Sequence, residues 1–163
     1  MKRLFITFVT VLAMGFLIPL APLLAVSDTS PVYTHFVYMF GHANFLHWLI
    51  NGWALLVLHN LFRPYRLEAT YIFAVLISFI PGISGDTDGL LGASVVTTFF
   101  FGFYTPHLWG ADKLTALMTL AIILVGFLVP GIAAWPHLLM YLCGVGFFFI
   151  ECALVHFLRF CKS

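Results

Sequence analysis

The chain has 163 residues, of which 63% are hydrophobic and 8% charged, with mean hydropathy +1.08. A soluble domain carries about 25% charged residues, so this composition excludes a water-soluble globule and points to an integral membrane protein. The net charge of +1 gives nucleic acid no electrostatic footing as a partner.

A membrane-spanning helix needs roughly 20 apolar residues. The first candidate runs over 4–26. Lys2, Arg3, the apolar stretch and "LLAVSD" give it the look of a signal peptide. The run exceeds a signal h-region of about 7–15 residues, so a retained helix is expected. Pro19 and Pro22 should bend its outer end. Five more segments follow at 43–62, 67–81, 92–105, 113–131 and 136–159. They are separated by "RPYR", "PGISGDTDG", "TPHLWGADK" and "VPGIAAWP", all rich in breakers. With no linker or repeat, residues 1–163 form one domain. The expected fold is all-α: a polytopic bundle of six transmembrane helices.

The positive-inside rule orients this bundle. With the N-terminus in the cytoplasm, six spans put Lys2, Arg3, Arg63, Arg66, Lys113, Arg159 and Lys162 on the cytoplasmic side, which is every Lys and Arg in the chain. The outer loops keep Asp28, Asp86 and Asp88. One helix more or fewer would scatter the pattern, so it supports the span count too. The expected location is a bacterial inner membrane with both termini inside.

Within that topology several polar side chains gather near the outer face. "FGHANFLHWLIN" opens the second segment with His42, His47 and Asn51. His47 and Asn51 are four apart and share a helix face. At about 1.5 Å per residue, Asn51 lies roughly a third of the way into the membrane. The fourth segment, read as 92–105, is about 20 Å long and falls short of the roughly 30 Å core. Ser94, in its first turn, should therefore lie below the outer surface, near free N–H groups at the positive helix end. His137 begins the sixth segment directly after Pro136. Singly, each has a structural explanation: a serine cap, an interfacial histidine, an asparagine bonding between helices. Together, at one depth, they point to a site, because polar groups in lipid are costly. The chemistry is nucleophilic. A serine hydroxyl needs a base within about 3 Å, and His137 is the candidate. His47, Asn51 and the Ser94 amide could donate to an oxyanion. No acidic residue is placed to orient His137, so a Ser–His dyad is expected.

These residues resemble the rhomboid family of intramembrane serine proteases. That family carries His-x4-His-x3-Asn on its second core helix, and His42, His47 and Asn51 match it in identity and spacing. Its Gly-x-Ser-Gly motif is matched at Gly92, Ala93 and Ser94. Its Ala-His-x2-Gly-x3-Gly motif is matched at His137 and Gly144. The resemblance spans the chain from first helix to sixth. It implies Ser94 as nucleophile, His137 as general base, and His47 and Asn51 in the oxyanion hole. His42 would hydrogen-bond nearby and hold the outer loop, and Gly92 would be a supporting residue. It implies a single-pass membrane protein as substrate, the lipid bilayer as surroundings, and no cofactor. Val95 and Met140 stand where the family has glycines, which predicts a wider crossing of the fourth and sixth helices. Tyr33–Thr34 stands for the usual Trp-Arg pair. These departures suggest a divergent member, such as the rhombosortase-like branch. The alternative reading is a rhomboid-like protein that binds membrane helices without cutting them.

Other polar residues have plainer readings. Glu151 should bond a neighbouring helix, away from the serine. His35 is expected in solvent, and His59, His107 and His156 at the cytoplasmic interface. Cys143, Cys152 and Cys161 recur every nine residues, so neighbours face opposite helix sides and no disulfide or metal spacing follows. His42 and His47 chelate poorly at five apart on one helix.

Overall fold

A computed structural model describes residues 2–62, 67–83, 89–129 and 131–160. Arg63, Arg66, Asp86, Asp88 and Lys162, which carry part of the orientation pattern, lie outside them, as does Cys161 of the cysteine spacing. Every regular element among the described residues is helical, as the composition and periodicity require.

α1 (Lys2–Phe16) is followed by a 3-10 turn, Ile18–Leu20, and by α2 (Ala21–Leu24). The axis bends by 54° between α1 and the turns after it. Pro19 and Pro22 each sit at the start of a new helical turn, where proline's missing N–H costs nothing. The expected bend is present. α3 (Thr34–Val37) and a 3-10 turn at Tyr38–Phe40 give the connection before α4 local structure that the sequence does not foretell.

α4 (Phe45–Phe62), α5 (Leu67–Ser78), α6 (Ser94–Ala111), α7 (Lys113–Val125) and α8 (Ala134–Phe160) complete the chain. The expected fourth segment ended at 105, before Pro106. Instead α6 runs through Pro106 to Ala111, 18 residues in all. A proline removes one helix bond, but the flanking turns hold: Thr105 Oγ1 donates to the Phe101 carbonyl at 2.7 Å. At about 1.5 Å per residue α6 is roughly 27 Å long, so the argument that Ser94 is sunk because its helix is short does not stand. Asp112 then caps α7, accepting from the amides of Leu114 and Thr115. The Thr115 hydroxyl and these amides hold the Asp112 carboxyl below its usual range.

Among the described residues α8 alone is long and apolar enough to cross a membrane by itself, over Ala134–Phe157; α1 with α2 forms a second, broken candidate. Phe45–Leu58 and Lys113–Leu128 are apolar but shorter. Outward faces are apolar nonetheless: Phe16 is 84% exposed, Trp53 70% and Leu114 68%. Thr34, Thr70, Thr97, Thr98, Thr119 and Asn51 lie inside. That inversion is what lipid favours and water does not.

The helices pack around α6 and α8, which share the most extensive contact. α1 lies along α4: Trp48 donates its indole N–H to the Val11 carbonyl at 2.7 Å. The core gathers Tyr38, Leu58, Ala74, Leu90, Val95, Phe99 and Met140. Tyr38 is fully buried with its hydroxyl donated to the Ala74 carbonyl at 2.8 Å, so no polar cost remains.

Candidate active site

Ser94 is the first residue of α6, after Ala93 at its N-cap. His137 lies in the first turn of α8. The two helices bring Ser94 Oγ to 2.7 Å from His137 Nε2. The other ring nitrogen, Nδ1, is 2.7 Å from the Ala133 carbonyl oxygen. A carbonyl can only accept, so Nδ1 carries the hydrogen in the neutral ring and Nε2 is left as acceptor. The Ser94 hydroxyl therefore donates to His137. The Ala133 carbonyl fixes ring and tautomer, the task an aspartate performs in a catalytic triad. Sequence reasoning found the serine and histidine but missed this anchor. Nothing in side-chain identity could reveal it, because the group is main chain.

The crossing of α6 and α8 explains how the contact survives Val95 and Met140. Both side chains are fully buried, packed into the core with Phe99 and Phe100. The expected widening is not observed, because the close approach has moved along the helices. A Cβ on Gly102 would collide with the Tyr141 carbonyl, and one on Gly144 with the Phe99 carbonyl and, at 2.7 Å, the Phe103 amide. Two glycines further along the crossing thus let the backbones touch, leaving the N-terminal ends of α6 and α8 room for larger side chains.

His47 and Asn51 line the same cavity as Ser94 and His137. The cavity is about 510 Å³ and mostly apolar, with Ile50, Phe101, Ile122 and Ile132 among its walls. The Ala43 amide donates to His47 Nδ1 at 3.3 Å, so the neutral ring carries its hydrogen on Nε2. Asn51 Nδ2 donates one hydrogen to the His47 carbonyl at 2.8 Å, which leaves its second N–H for another acceptor. Gly92 has φ +108°, and a Cβ there would stand 2.8 Å from Cε1 and Nε2 of His47. Glycine is required at this position both for backbone conformation and for the imidazole beside it. The Gly92 amide donates to the Tyr38 carbonyl at 3.0 Å.

His42 is fully buried, edge-on to His47 with ring centroids 5.2 Å apart. Neither ring nitrogen makes a hydrogen bond of full geometry among the described residues. Its contact with the site is through the His47 ring. His35, expected in solvent, is half-buried instead; its Nδ1 lies 3.0 Å from Ser78 Oγ and its ring stacks on Phe79 at 4.0 Å. The Phe79 ring, just past the end of α5, draws it in. Tyr33 and Thr34 bond to the Leu23 and Pro31 carbonyls respectively and serve the loop. Glu151 is half-buried on α8, about 21 Å along the helix from His137. Cys143 is half-buried and Cys152 exposed, both as free thiols. Among the described residues no three His, Cys, Asp or Glu side chains gather as a metal-holding group.

Compared with known protein families, with curated proteins and with solved structures, the chain matches none of them.

Proposed function

We propose that this protein is an intramembrane serine endopeptidase of rhomboid type, a six-span bundle that cleaves transmembrane or membrane-proximal segments of single-pass membrane proteins. The reading is carried by one observation: Ser94 Oγ donates to His137 Nε2 at 2.7 Å while the opposite ring nitrogen is held by a main-chain carbonyl. A hydroxyl paired with a correctly oriented base is what acyl transfer demands. Ser94 attacks the scissile carbonyl and passes its proton to His137. The tetrahedral oxyanion is met by donors from His47 Nε2, the free N–H of Asn51 and the Ser94 amide at the N-terminus of α6. His137 returns the proton to the departing amine. Water entering from the outer face then releases the acyl group. The apolar walls of the cavity suit a stretch of membrane helix more than a soluble peptide. The inverted distribution of apolar and polar side chains supports more spans than length alone identifies, because α4, α5 and α7 present apolar faces outward. The side chains that favoured a non-cutting helix binder, Val95 and Met140, are absorbed in the core and leave the dyad in contact.

Labelling with a fluorophosphonate tests the reading. Wild type should be labelled, Ser94→Ala should not, and His137→Ala should react at least about 100-fold more slowly. Wild type that fails to react, under conditions where an active serine protease of this kind does, would overturn it.

A further inference from the structure

The described residues outside the helices hold one isolated main-chain bridge, and it lies next to the nucleophile. Val26 and Leu90 pair in antiparallel fashion: the Val26 amide donates to the Leu90 carbonyl at 3.0 Å, and the Leu90 amide donates to the Val26 carbonyl at 2.7 Å. Both residues are buried, at 2% and 1% exposure. The bridge is held on its N-terminal side by Ala25, whose amide bonds to Ala21 of α2. On its C-terminal side a turn closes from Ser27 to Ser30, with the Ser27 amide donating to Ser30 Oγ at 3.0 Å. A side chain at Gly89 would stand 3.0 Å from the Val26 carbonyl, so the two strands touch. Two residues after Leu90, the Gly92 amide is fixed to Tyr38; two residues later comes Ser94.

Resting on the proposed function, we infer that the Val26 main chain is a positioning element for Ser94, and that the segment following α2 is thereby a working part of the site rather than a mere anchor. The loop 89–93 has no helix of its own. Its course is set by main-chain bonds to two outside segments, the stretch after α2 at Val26 and the 3-10 turn at Tyr38. Releasing the first lets Leu90 and Leu91 move, and both line the cavity. It also frees the turn that aims Ser94 Oγ at His137. A shift of about 1 Å in a reacting atom can cost 100-fold in rate. The same bridge gives α1 and α2 a reason to stay attached to the chain: separation of the first 25 residues would leave Val26 without the helix that fixes its register.

The test measures the maximal fluorophosphonate labelling rate and the concentration for half-maximal rate on the full-length protein in detergent. Val26→Pro deletes the amide donor, and it should lower the maximal rate by about tenfold or more while leaving the half-maximal concentration nearly unchanged. Val26→Ala keeps both main-chain bonds and should restore the rate. If Val26→Pro proves unfolded by circular dichroism, replacing Val26 with its α-hydroxy acid exchanges the N–H for an ester oxygen with the side chain kept and should give the same loss. A wild-type maximal rate in either donor-deleted protein would overturn the inference while leaving the hydrolase reading intact. A wild type that does not label would overturn both.

Discussion

His137 shows how much a single residue depends on what is near it. Its side chain is half-buried, and its two ring nitrogens have two different partners, a main-chain carbonyl and a serine hydroxyl. The first bond fixes the second. Gly92 plays a comparable part for His47, by having no side chain. Gly92→Ala would demand a left-handed φ from an L-residue and press a methyl to 2.8 Å from the imidazole, a strain of about 1–3 kcal/mol. The expected outcome is a fall in thermal stability together with slower fluorophosphonate labelling. Asn51→Ala removes a donor and should cost about 100-fold to 1,000-fold in turnover, measured on a transmembrane model substrate, with little change in substrate binding. Both residues were legible in the sequence, because polar groups and a glycine at helix mouths stand out against an apolar chain. The Ala133 carbonyl and the Tyr38 carbonyl were not, since every residue carries one.

At the scale of elements, the crossing of α6 and α8 decides whether the dyad forms. Sequence reasoning located that crossing at Val95 and Met140, where glycines are missing, and expected the helices to stand apart. The helices meet at Gly102 and Gly144 instead, one to two turns deeper. Gly144 is legible in the sequence as a motif position, but Gly102 is not, because its role depends on the Tyr141 main chain across the interface. Gly144→Ala should part the helices and abolish labelling, whereas Gly146→Ala, where a Cβ meets nothing within 4 Å, should be harmless or stabilise by up to about 1 kcal/mol. Comparing their unfolding temperatures and labelling rates separates close packing from helix propensity. Met140→Ala takes the core toward a smaller side chain and should destabilise by about 2–5 kcal/mol with no gain in activity. Faster labelling in that variant would show that Met140 holds the helices apart.

For the molecule as a whole, the question is how many helices cross the bilayer. Length and hydropathy alone identify α8 and, as a bent pair, α1 with α2. The proposed bundle, following the positive-inside pattern, has six. Single cysteines in a background with Cys143, Cys152 and Cys161 replaced would decide it: Asp28→Cys should react with an impermeant maleimide from outside, and Lys113→Cys only after the membrane is opened. Equal reactivity at both from one side would refute the topology. The helical class and the bend after α1 needed no structure, since apolar runs and prolines act locally. The extension of α6 past Pro106 was misread, because whether a proline ends a helix depends on what supports the turns around it.

The amino-acid order by itself determined that this chain is helical and apolar, and which few polar residues it keeps: Ser94, His137, His47, Asn51 and His42. Those are properties of composition and short spacing, set by the cost of polar groups in lipid. Only the tertiary structure decided that the serine and the histidine touch, that the near approach of two helices rests on Gly102 and Gly144, and that main-chain carbonyls orient the imidazole and the nucleophile loop. The serine–histidine contact joins residues 43 apart in the chain. Their geometry comes from the packing of whole helices, which no local pattern encodes.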